Sequence, residues 1–327
     1  MTDNIIEIAK EIIHPGSTRR LDLPVSRLPT QTMLSLPITI VNGIDPGPKL
    51  WLSAAIHGDE LNGVEIIRQV LAQVNPKKLR GTLLAVPIVN VFGFIEQSRY
   101  LPDRRDLNRS FPGSETGSLA SRLANLFMRE IVSRSTHGID LHTAAINKVN
   151  LPQIRANLQD TETHRCAKAF GTKIIMHSNT RDGSLRQAAT KKGIPVLLYE
   201  AGEALRFDSQ AIADGVKGIF QVMHCLDMYD ESPAYSDRAE PIEINQSKWI
   251  RASQGGIFHL RVKLGEPVEK KQELGFITDV VGEYQVKVRA TMPGIVISHI
   301  LNPLVNQGDA IVHLAVLPEN NENNLLS

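Results

Sequence analysis

A strand, a helix and a second strand in direct succession constrain the fold of this chain more than any other feature. Lys49–Ile56 and Leu83–Val91 are apolar runs rich in strand-forming residues, and apolar residues recur at helical spacing between them. This spacing predicts a helix from near Glu60 to about Val74, where Asn75-Pro76 ends it. Because strand, helix, strand is the βαβ unit of a parallel sheet, we expect an α/β fold with a mixed sheet flanked by helices.

The same patterns predict the other elements of the first part of the chain. They are a strand over Leu34–Val41, a long polar loop over Gln97–Gly117, a helix over Ser118–Ser133, and short strands over Gly138–His142 and Val196–Tyr199. A loop as long as the one after Gln97 is usually functional when it lies inside a compact domain.

Charge and composition exclude several classes of protein. The 327 residues carry 36 Lys and Arg against 35 Asp and Glu, whereas a nucleic-acid-binding chain usually has a basic excess. No run has the roughly 18 apolar residues that cross a bilayer, and Met1–Ile8 carries acids where a secretion signal has Lys or Arg. Cys166 and Cys225 are too few for a disulfide framework. We therefore expect a cytoplasmic protein that binds neither nucleic acid nor membrane.

The last third of the chain has a different character. A linker is predicted near Asp230, and beyond it the pattern is of short strands and turns with a weak internal repeat. We divide the chain into a catalytic domain over residues 1–235 and an all-β domain over residues 236–327. The β domain resembles the biotinyl/lipoyl barrel-sandwich fold, but its predicted hairpins present no lysine, which makes a carrier role improbable. We expect it to cap the active-site entrance or to form an interface in a homo-oligomer.

Two histidines and a carboxylate follow predicted strand ends. His57-Gly58-Asp59-Glu60 lies where a strand gives way to a helix, and Asp140-Leu141-His142 ends another strand. Ligands gather at the carboxyl ends of parallel strands, and catalytic Zn²⁺ uses two imidazoles and a carboxylate while leaving a position for water. Asp140 or Asp59 could hold a ligand imidazole. The competing interpretation is that the histidines are ordinary core residues.

Further polar residues are candidates for the chemistry. Glu200 ends the strand Val196–Tyr199, where it can act as the general base beside a metal, with Glu203 as the main competitor. The predicted loop contains Arg104-Arg105-Asp106-Leu107-Asn108-Arg109, and guanidinium groups bind carboxylates in a bidentate manner. Arg99 lies earlier in the loop and could polarise a carbonyl. Without a metal, these residues are a strand-end acid and a solvated loop.

Four of these motifs, in their order along the chain, resemble the succinylglutamate desuccinylase/aspartoacylase family, a branch of the zinc carboxypeptidase fold. The motifs are His57-Gly58-Asp59-Glu60, Asp106-Leu107-Asn108-Arg109, Asp140-Leu141-His142 and Glu200-Ala201-Gly202. Aspartoacylases usually have Asn at the position of Asp59, so this chain is more similar to the desuccinylase-like branch.

The resemblance implies a role for each matching residue. It implies one Zn²⁺ per subunit held by His57, Glu60 and His142, and Glu200 as general base and acid. It implies that Asn108 and Arg109 hold a substrate carboxylate, with Arg186 as a further substrate contact. Arg99, Arg104 and Arg105 remain alternatives for the arginine that polarises the carbonyl.

The function implied is hydrolysis of the amide bond of a small N-acyl amino acid by metal-activated water. The alternative is a metallocarboxypeptidase or an esterase, because the same attack serves peptide, amide and ester carbonyls. A chain that keeps only the fold is a third interpretation, but every expected ligand position is filled. Neither the acyl group nor the amino acid follows from the sequence.

Overall fold

The computed structural model describes residues 4–230 and 240–317. The predicted domain boundary between residues 235 and 236, and the linker that follows Asp230, lie outside the described residues. Within them, no helix is long and apolar enough to cross a membrane.

The strands are numbered in chain order. They are β1 (Ile6–Ile8), β2 (Glu11–Ile13), β3 (Ser17–Arg27), β4 (Met33–Asn42), β5 (Asp45–Ala54), β6 (Arg80–Val86), β7 (His137–His142), β8 (Lys148–Ala156), β9 (Ile174–His177), β10 (Val196–Gly202), β11 (Ile242–Ile244), β12 (Ser247–Arg251), β13 (Gly256–Leu260), β14 (Pro267–Val268), β15 (Glu273–Thr278), β16 (Gln285–Arg289), β17 (Gly294–Ile300), β18 (Leu304–Val305) and β19 (Ala310–Val316).

The α-helices all lie in the first part of the described chain. They are α1 (Asn62–Gln73), α2 (Val91–Ile95), α3 (Leu119–Glu130), α4 (Thr161–Phe170), α5 (Leu185–Thr190) and α6 (Ser209–Cys225). Short 3₁₀ turns cover Leu107–Arg109 and Val132–Arg134.

Thirteen strands of the described residues form one mixed sheet, which organises the fold. Its central strands run in the order β10, β7, β5, β6, and all three of these pairings are parallel. Antiparallel strands extend both sides, β4 and β3 beyond β6, and β8, β17, β19 and β12 beyond β10. The prediction of a mixed sheet built around a βαβ unit is confirmed.

Helices cover both faces of this sheet because the buried strands alternate their side chains between two cores. Leu52 of β5 packs with α1, α4 and α6, whereas its neighbour Trp51 packs with α2, α3 and α5 on the opposite face. Strands that are buried on both faces carry near-continuous apolar runs, which is why β5 and β6 stood out in the sequence.

The end of the described chain is rich in strands, as predicted. Four of them, in the order β16, β15, β13, β18, form a separate sheet, and a shared apolar core joins this sheet to β12, β17 and β19. The barrel-sandwich assignment stays a prediction. The sequence did not indicate that β17 pairs with β8, so that strands from the end of the chain continue the large sheet.

One predicted element is wrong at its end. The strand predicted over Leu83–Val91 stops at Val86, and Val91 begins the short helix α2. Asn90 caps this helix, because its side-chain oxygen accepts a hydrogen bond from the Gly93 amide. The helix predicted from near Glu60 begins at Asn62.

Gly63 allows α1 to pack closely on the parallel strands, which gives a test of this arrangement. A Cβ there would lie 2.7 Å from the Cβ atoms of Ala54 and Leu141. Gly63→Ala should therefore lower the free energy of unfolding by about 1–3 kcal/mol, as overpacking usually does, measured by urea denaturation. Gly255→Ala, whose new Cβ would lie no closer than 3.4 Å to its neighbours, is the control. Equal stability of the two variants would contradict the close packing.

Candidate metal centre and active site

Two imidazoles and one carboxylate meet at the carboxyl ends of β5 and β7. Because these strands are parallel, with Ala54 paired to Leu141, the residues that follow them lie side by side. Glu60 Oε1 lies 2.6 Å from His57 Nδ1, and its Oε2 lies 2.8 Å from His142 Nδ1. One ligand atom from each of the three residues lies within 4.8 Å of the others.

Burial and neighbouring charges shift the pKa values of this cluster in opposite directions. Burial alone would lower the pKa of His142, but the charges of Asp140 and Glu60 outweigh it and raise that pKa well above its ordinary value. Burial would likewise raise the pKa of Glu60, yet the two histidines hold it far below its usual range. The carboxylate is therefore ionised, and its partners favour positive charge at this point.

A second carboxylate faces the other nitrogen of each imidazole. His142 Nε2 lies 2.8 Å from Asp140 Oδ2, and Ser53 Oγ donates to the other oxygen of Asp140 at 2.7 Å. His57 Nε2 lies 3.3 Å from Asp106 Oδ1, although the two are not aligned as a hydrogen bond. Of the two acids proposed to hold an imidazole, Asp140 does so. The Oδ1 of Asp59 has no hydrogen-bond partner among the described residues.

The donor set fits a divalent cation better than it fits protons alone. Each imidazole lies between two carboxylates, so without a metal both rings would have to be protonated to donate from both nitrogens. A cation that replaced the two Nδ1 protons would leave neutral imidazoles. The Nε2–H of His142 would then donate to Asp140, which is the usual support of a ligand histidine, and that of His57 would lie 3.3 Å from Asp106. Two nitrogens and one carboxylate are a typical zinc donor set.

The turn that carries His57 needs a glycine because another segment passes against it. A Cβ on Gly58 would lie 1.9 Å from the carbonyl carbon of Gly93 in α2. The Asn90 amide also donates to the carbonyl of Ala55, which fixes α2 against the end of β5. Any side chain at residue 58 would therefore displace α2 or the ligand turn.

A cavity of about 560 Å³ opens over the cluster, and Glu200 lines it. Glu200 pairs directly with His142 across β10 and β7, so the two side chains leave the sheet on the same face about 5 Å apart. Asn150 of β8 donates to Glu200 Oε2 at 2.8 Å, and Arg155 Nη1 lies 3.8 Å from its Oε1. Glu203 forms an ion pair with Arg206 instead.

Of the three arginines proposed to polarise a carbonyl, only Arg99 lines this cavity. Its Nη2 lies 2.9 Å from Asp106 and its Nη1 lies 3.7 Å from Glu60, which places the guanidinium beside the metal-ligand candidates. Arg104 is exposed, and Arg105 contacts Asp103 at 3.5 Å.

The three proposed substrate contacts also line the cavity, but they differ in burial and in their hydrogen-bond partners. Asn108 is buried and its side-chain oxygen accepts from the Leu185 amide, whereas Arg109 is exposed. Arg186 is buried and donates to the Ser178 and Asn179 carbonyls and to Ser178 Oγ at 2.9–3.0 Å. Burial and the neighbouring arginines lower the pKa of Arg186 to about 10. Its guanidinium thus fixes the loop before α5.

Several cavity residues had no functional prediction from the sequence. Asn150 and Arg155 come from β8, and Trp249, Ser298 and His313 come from β12, β17 and β19 near the end of the chain. None lies in a recognisable motif, and the last three reach the cavity only because their strands continue the large sheet.

A second group of metal-ligand types lies between β7 and α4, where His137 of β7 is close to Glu162 and Cys166 of α4. Arg165 bonds both oxygens of Glu162, at 2.9 and 2.7 Å, and these hydrogen bonds are the main reason that the pKa of Glu162 falls to about 2. A guanidinium, rather than a metal, neutralises this carboxylate.

Comparison with known proteins finds similar sequences and structures. Residues 46–226 match the succinylglutamate desuccinylase/aspartoacylase catalytic domain. The N-alpha-acetyl-L-2,4-diaminobutyric acid deacetylase of Halomonas elongata is 28% identical in an alignment of 301 positions that covers 87% of this chain and 86% of that protein.

Two solved structures share the fold. A succinylglutamate desuccinylase/aspartoacylase from Rhodobacter sphaeroides has a TM-score of 0.82 at 24% identity, covering 92% of this chain and 96% of its own. The product-bound ectoine utilization protein EutE from Ruegeria pomeroyi has a TM-score of 0.84 at 23% identity, covering 97% of this chain and 100% of its own.

The contacts of Arg186 predict that its loss frees a loop. Arg186→Met should speed amide hydrogen exchange across residues 178–184, because the Ser178 and Asn179 carbonyls lose a charged donor. Hydrogen–deuterium exchange followed by mass spectrometry measures this, and Arg105→Met, on a separate exposed loop, is the control. Unchanged exchange in the 178–184 segment would show that Arg186 does not hold it.

Proposed function

The chain belongs to the succinylglutamate desuccinylase/aspartoacylase family, and from this premise we propose that it is a zinc-dependent hydrolase that cleaves the amide bond of an N-acyl amino acid. The observation that carries the proposal is the convergence of His57, Glu60 and His142 beneath a cavity that Glu200 also lines. The deacetylase activity named for the Halomonas relative supports amide hydrolysis as the reaction.

His57, Glu60 and His142 would hold the zinc, one ion per chain, with Asp140 and Asp106 orienting the two imidazoles. When bound, zinc supplies a Lewis acid that makes water nucleophilic near neutral pH and polarises a carbonyl. The other steps of the reaction fall to side chains around the cavity.

Glu200 takes a proton from the attacking water and later delivers it to the departing amine. Asn150 is a positioning residue in this scheme, because its hydrogen bond fixes the Glu200 carboxylate between β10 and β8. Arg99 stabilises negative charge that develops on the carbonyl oxygen. Asn108 and Arg109 hold the carboxylate of the amino-acid product and so set the orientation of the substrate.

The C-terminal strands complete the site in this proposal. Trp249, Ser298 and His313 line the cavity, and in this proposal the region after residue 236 closes the entrance as a barrel-sandwich-like domain. The cytoplasmic location and the formation of a homo-oligomer remain predictions.

The proposed zinc site predicts a difference between two neighbouring acids. Asp140→Asn should weaken Zn²⁺ binding about 10–100-fold, because the His142 imidazole loses its carboxylate support. Competition with a chromophoric chelator measures the affinity. Asp59→Asn is the matched control and should bind zinc as the unmodified chain does. If both variants bind zinc equally well, Asp140 does not support a zinc ligand.

The proposed general base predicts a separation of metal binding from turnover. Glu200→Gln should retain zinc yet lower kcat for an N-acetyl amino acid by about 10²–10⁴-fold, which is the usual contribution of a general base. Metal content and initial rates are measured on the same preparation. Glu203→Gln serves as the control, and near-normal turnover by Glu200→Gln would remove Glu200 from the mechanism.

A further inference from the structure

The two cysteines of the chain lie together, apart from the active-site cavity. Cys166 belongs to α4 and Cys225 is the last residue of α6, and these two helices pack against each other on one face of the sheet. The two thiols are close enough to hydrogen-bond to one another. Neither cysteine is among the described residues that line the cavity, and the proposed hydrolysis uses neither of them.

The packing of α6 explains why the two side chains meet. Val222 and Cys225 are three residues apart in α6, so they lie on the same face of that helix. Val222 and Cys166 both line a small space of about 10 Å³ beside the start of β10. Cys166 is buried in the apolar core, whereas Cys225 is only partly buried. One thiol of the pair is therefore protected, and a small reagent in solution can reach the other.

A guanidinium contacts the accessible sulfur. Arg165 Nη1 lies 2.8 Å from Cys225 Sγ and also donates to the Cys225 carbonyl. The hydrogen bond from the Cys166 thiol and the charge of Arg165 outweigh burial and lower the pKa of Cys225 to about 7. The same hydrogen bond, together with burial, raises the pKa of Cys166. Cys225 is therefore the thiolate of the pair, and Cys166 is the thiol that donates to it.

Other charged groups from α4, α6 and β7 face the pair. Glu162 opposes a negative charge on Cys225, and His224 favours it when protonated. Glu162, however, accepts from Nε and Nη2 of Arg165 and lies 3.0 Å from His137 Nε2. Because these donors offset the charge of Glu162, Arg165 remains the main charge in contact with the Cys225 sulfur. Reactive thiolates typically lie beside a cation of this kind.

We propose that Cys225 and Cys166 are a modification site for hydroperoxides, at which oxidation forms a reversible disulfide that joins α4 to α6. Cys225 is the residue attacked first, because it is the accessible thiol and contacts Arg165. Cys166 is the resolving thiol. A single bond of this kind is typical of redox sensing and differs from the disulfide framework for which two cysteines are too few. The proposal is independent of the proposed hydrolysis.

The oxidation by hydrogen peroxide proceeds in two steps. The Cys225 thiolate attacks one peroxide oxygen, the O–O bond breaks, and Cys225 becomes a sulfenic acid while hydroxide leaves. The Cys166 sulfur then attacks the Cys225 sulfur, the S–O bond breaks, and the hydroxyl group leaves with the Cys166 proton as water. Two electrons pass from the pair of sulfurs to the peroxide. An added dithiol reverses the change by thiol–disulfide exchange.

Treatment of the full chain with hydrogen peroxide tests the pair. Peptide mapping by mass spectrometry should find Cys166 linked to Cys225 with the loss of two hydrogen atoms, and dithiothreitol should restore both thiols. The rate should not depend on protein concentration, because the bond lies within one chain. A disulfide between two chains would overturn the proposal. So would two unmodified cysteines after glutathione in the same solution has been fully oxidised.

A matched pair of arginine variants tests the role of the cation. Arg165→Gln should slow disulfide formation about tenfold, because less of Cys225 is then thiolate at neutral pH. Arg68→Gln is the control, since Arg68 lies on α1 and bonds the Glu65 carboxylate three residues before it through the same two nitrogens. Equal rates in the two variants would contradict activation of Cys225 by Arg165.

Two cysteine variants test the order of the steps. In Cys166→Ala the reaction should stop at the Cys225 sulfenic acid, which dimedone traps, whereas in Cys225→Ser the buried Cys166 should remain unoxidised. Trapping at Cys166 in Cys225→Ser, with none at Cys225 in Cys166→Ala, would contradict the assigned roles. Unfolding midpoints establish that the variants are folded, and the experiment on the unmodified chain does not depend on them.

Discussion

The burial of one ionised carboxylate governs the construction of this protein. Glu60 is 2% exposed, and a charge at that depth is stable only when opposite charges and hydrogen bonds surround it. Two imidazoles and the Thr143 amide supply them. These groups can reach Glu60 only because β5 and β7 are adjacent and parallel. The stabilisation of the Glu60 charge therefore depends on the order of the central strands.

The network continues outward from that carboxylate. Trp51 donates to Ser53 at 3.3 Å, Ser53 donates to Asp140, and Asp140 faces His142. These residues lie within β5 and β7 themselves, so they are rigid parts of the sheet rather than of its loops. Geometry held by strands is more precise than geometry held by loops, so the position of His142 is well defined.

The sequence predicted those parts of the site that follow from local order along the chain. His57, Glu60, His142 and Glu200 lie at the ends of apolar strands, and parallel strands bring their carboxyl ends to one edge. The error at Leu83–Val91 has a local origin as well. A buried strand and a buried short helix are both continuous apolar runs, and periodicity does not separate them.

The remaining parts of the site depend on strand pairings between residues distant in sequence. Ser298 and His313 reach the cavity because β17 pairs with β8, and nothing near either residue indicates that contact. Arg186 shows a second limit of prediction from sequence, because its residue type does not reveal which groups it bonds. Its residue type suggested a substrate contact, but only the folded loop shows that its donors are bonded to carbonyl groups.

Overall charge was equally uninformative about the cavity. A formal net charge of +1 describes the whole chain, whereas basic side chains outnumber acidic ones around the site. Burial together with the other arginines lowers the pKa of both Arg181 and Arg186, so the folded protein bears an electrostatic cost there. An anionic ligand relieves that cost on binding, and a cavity of one sign also concentrates such ligands from solution. The surplus of positive charge is therefore better explained by what the cavity binds than by what stabilises the fold.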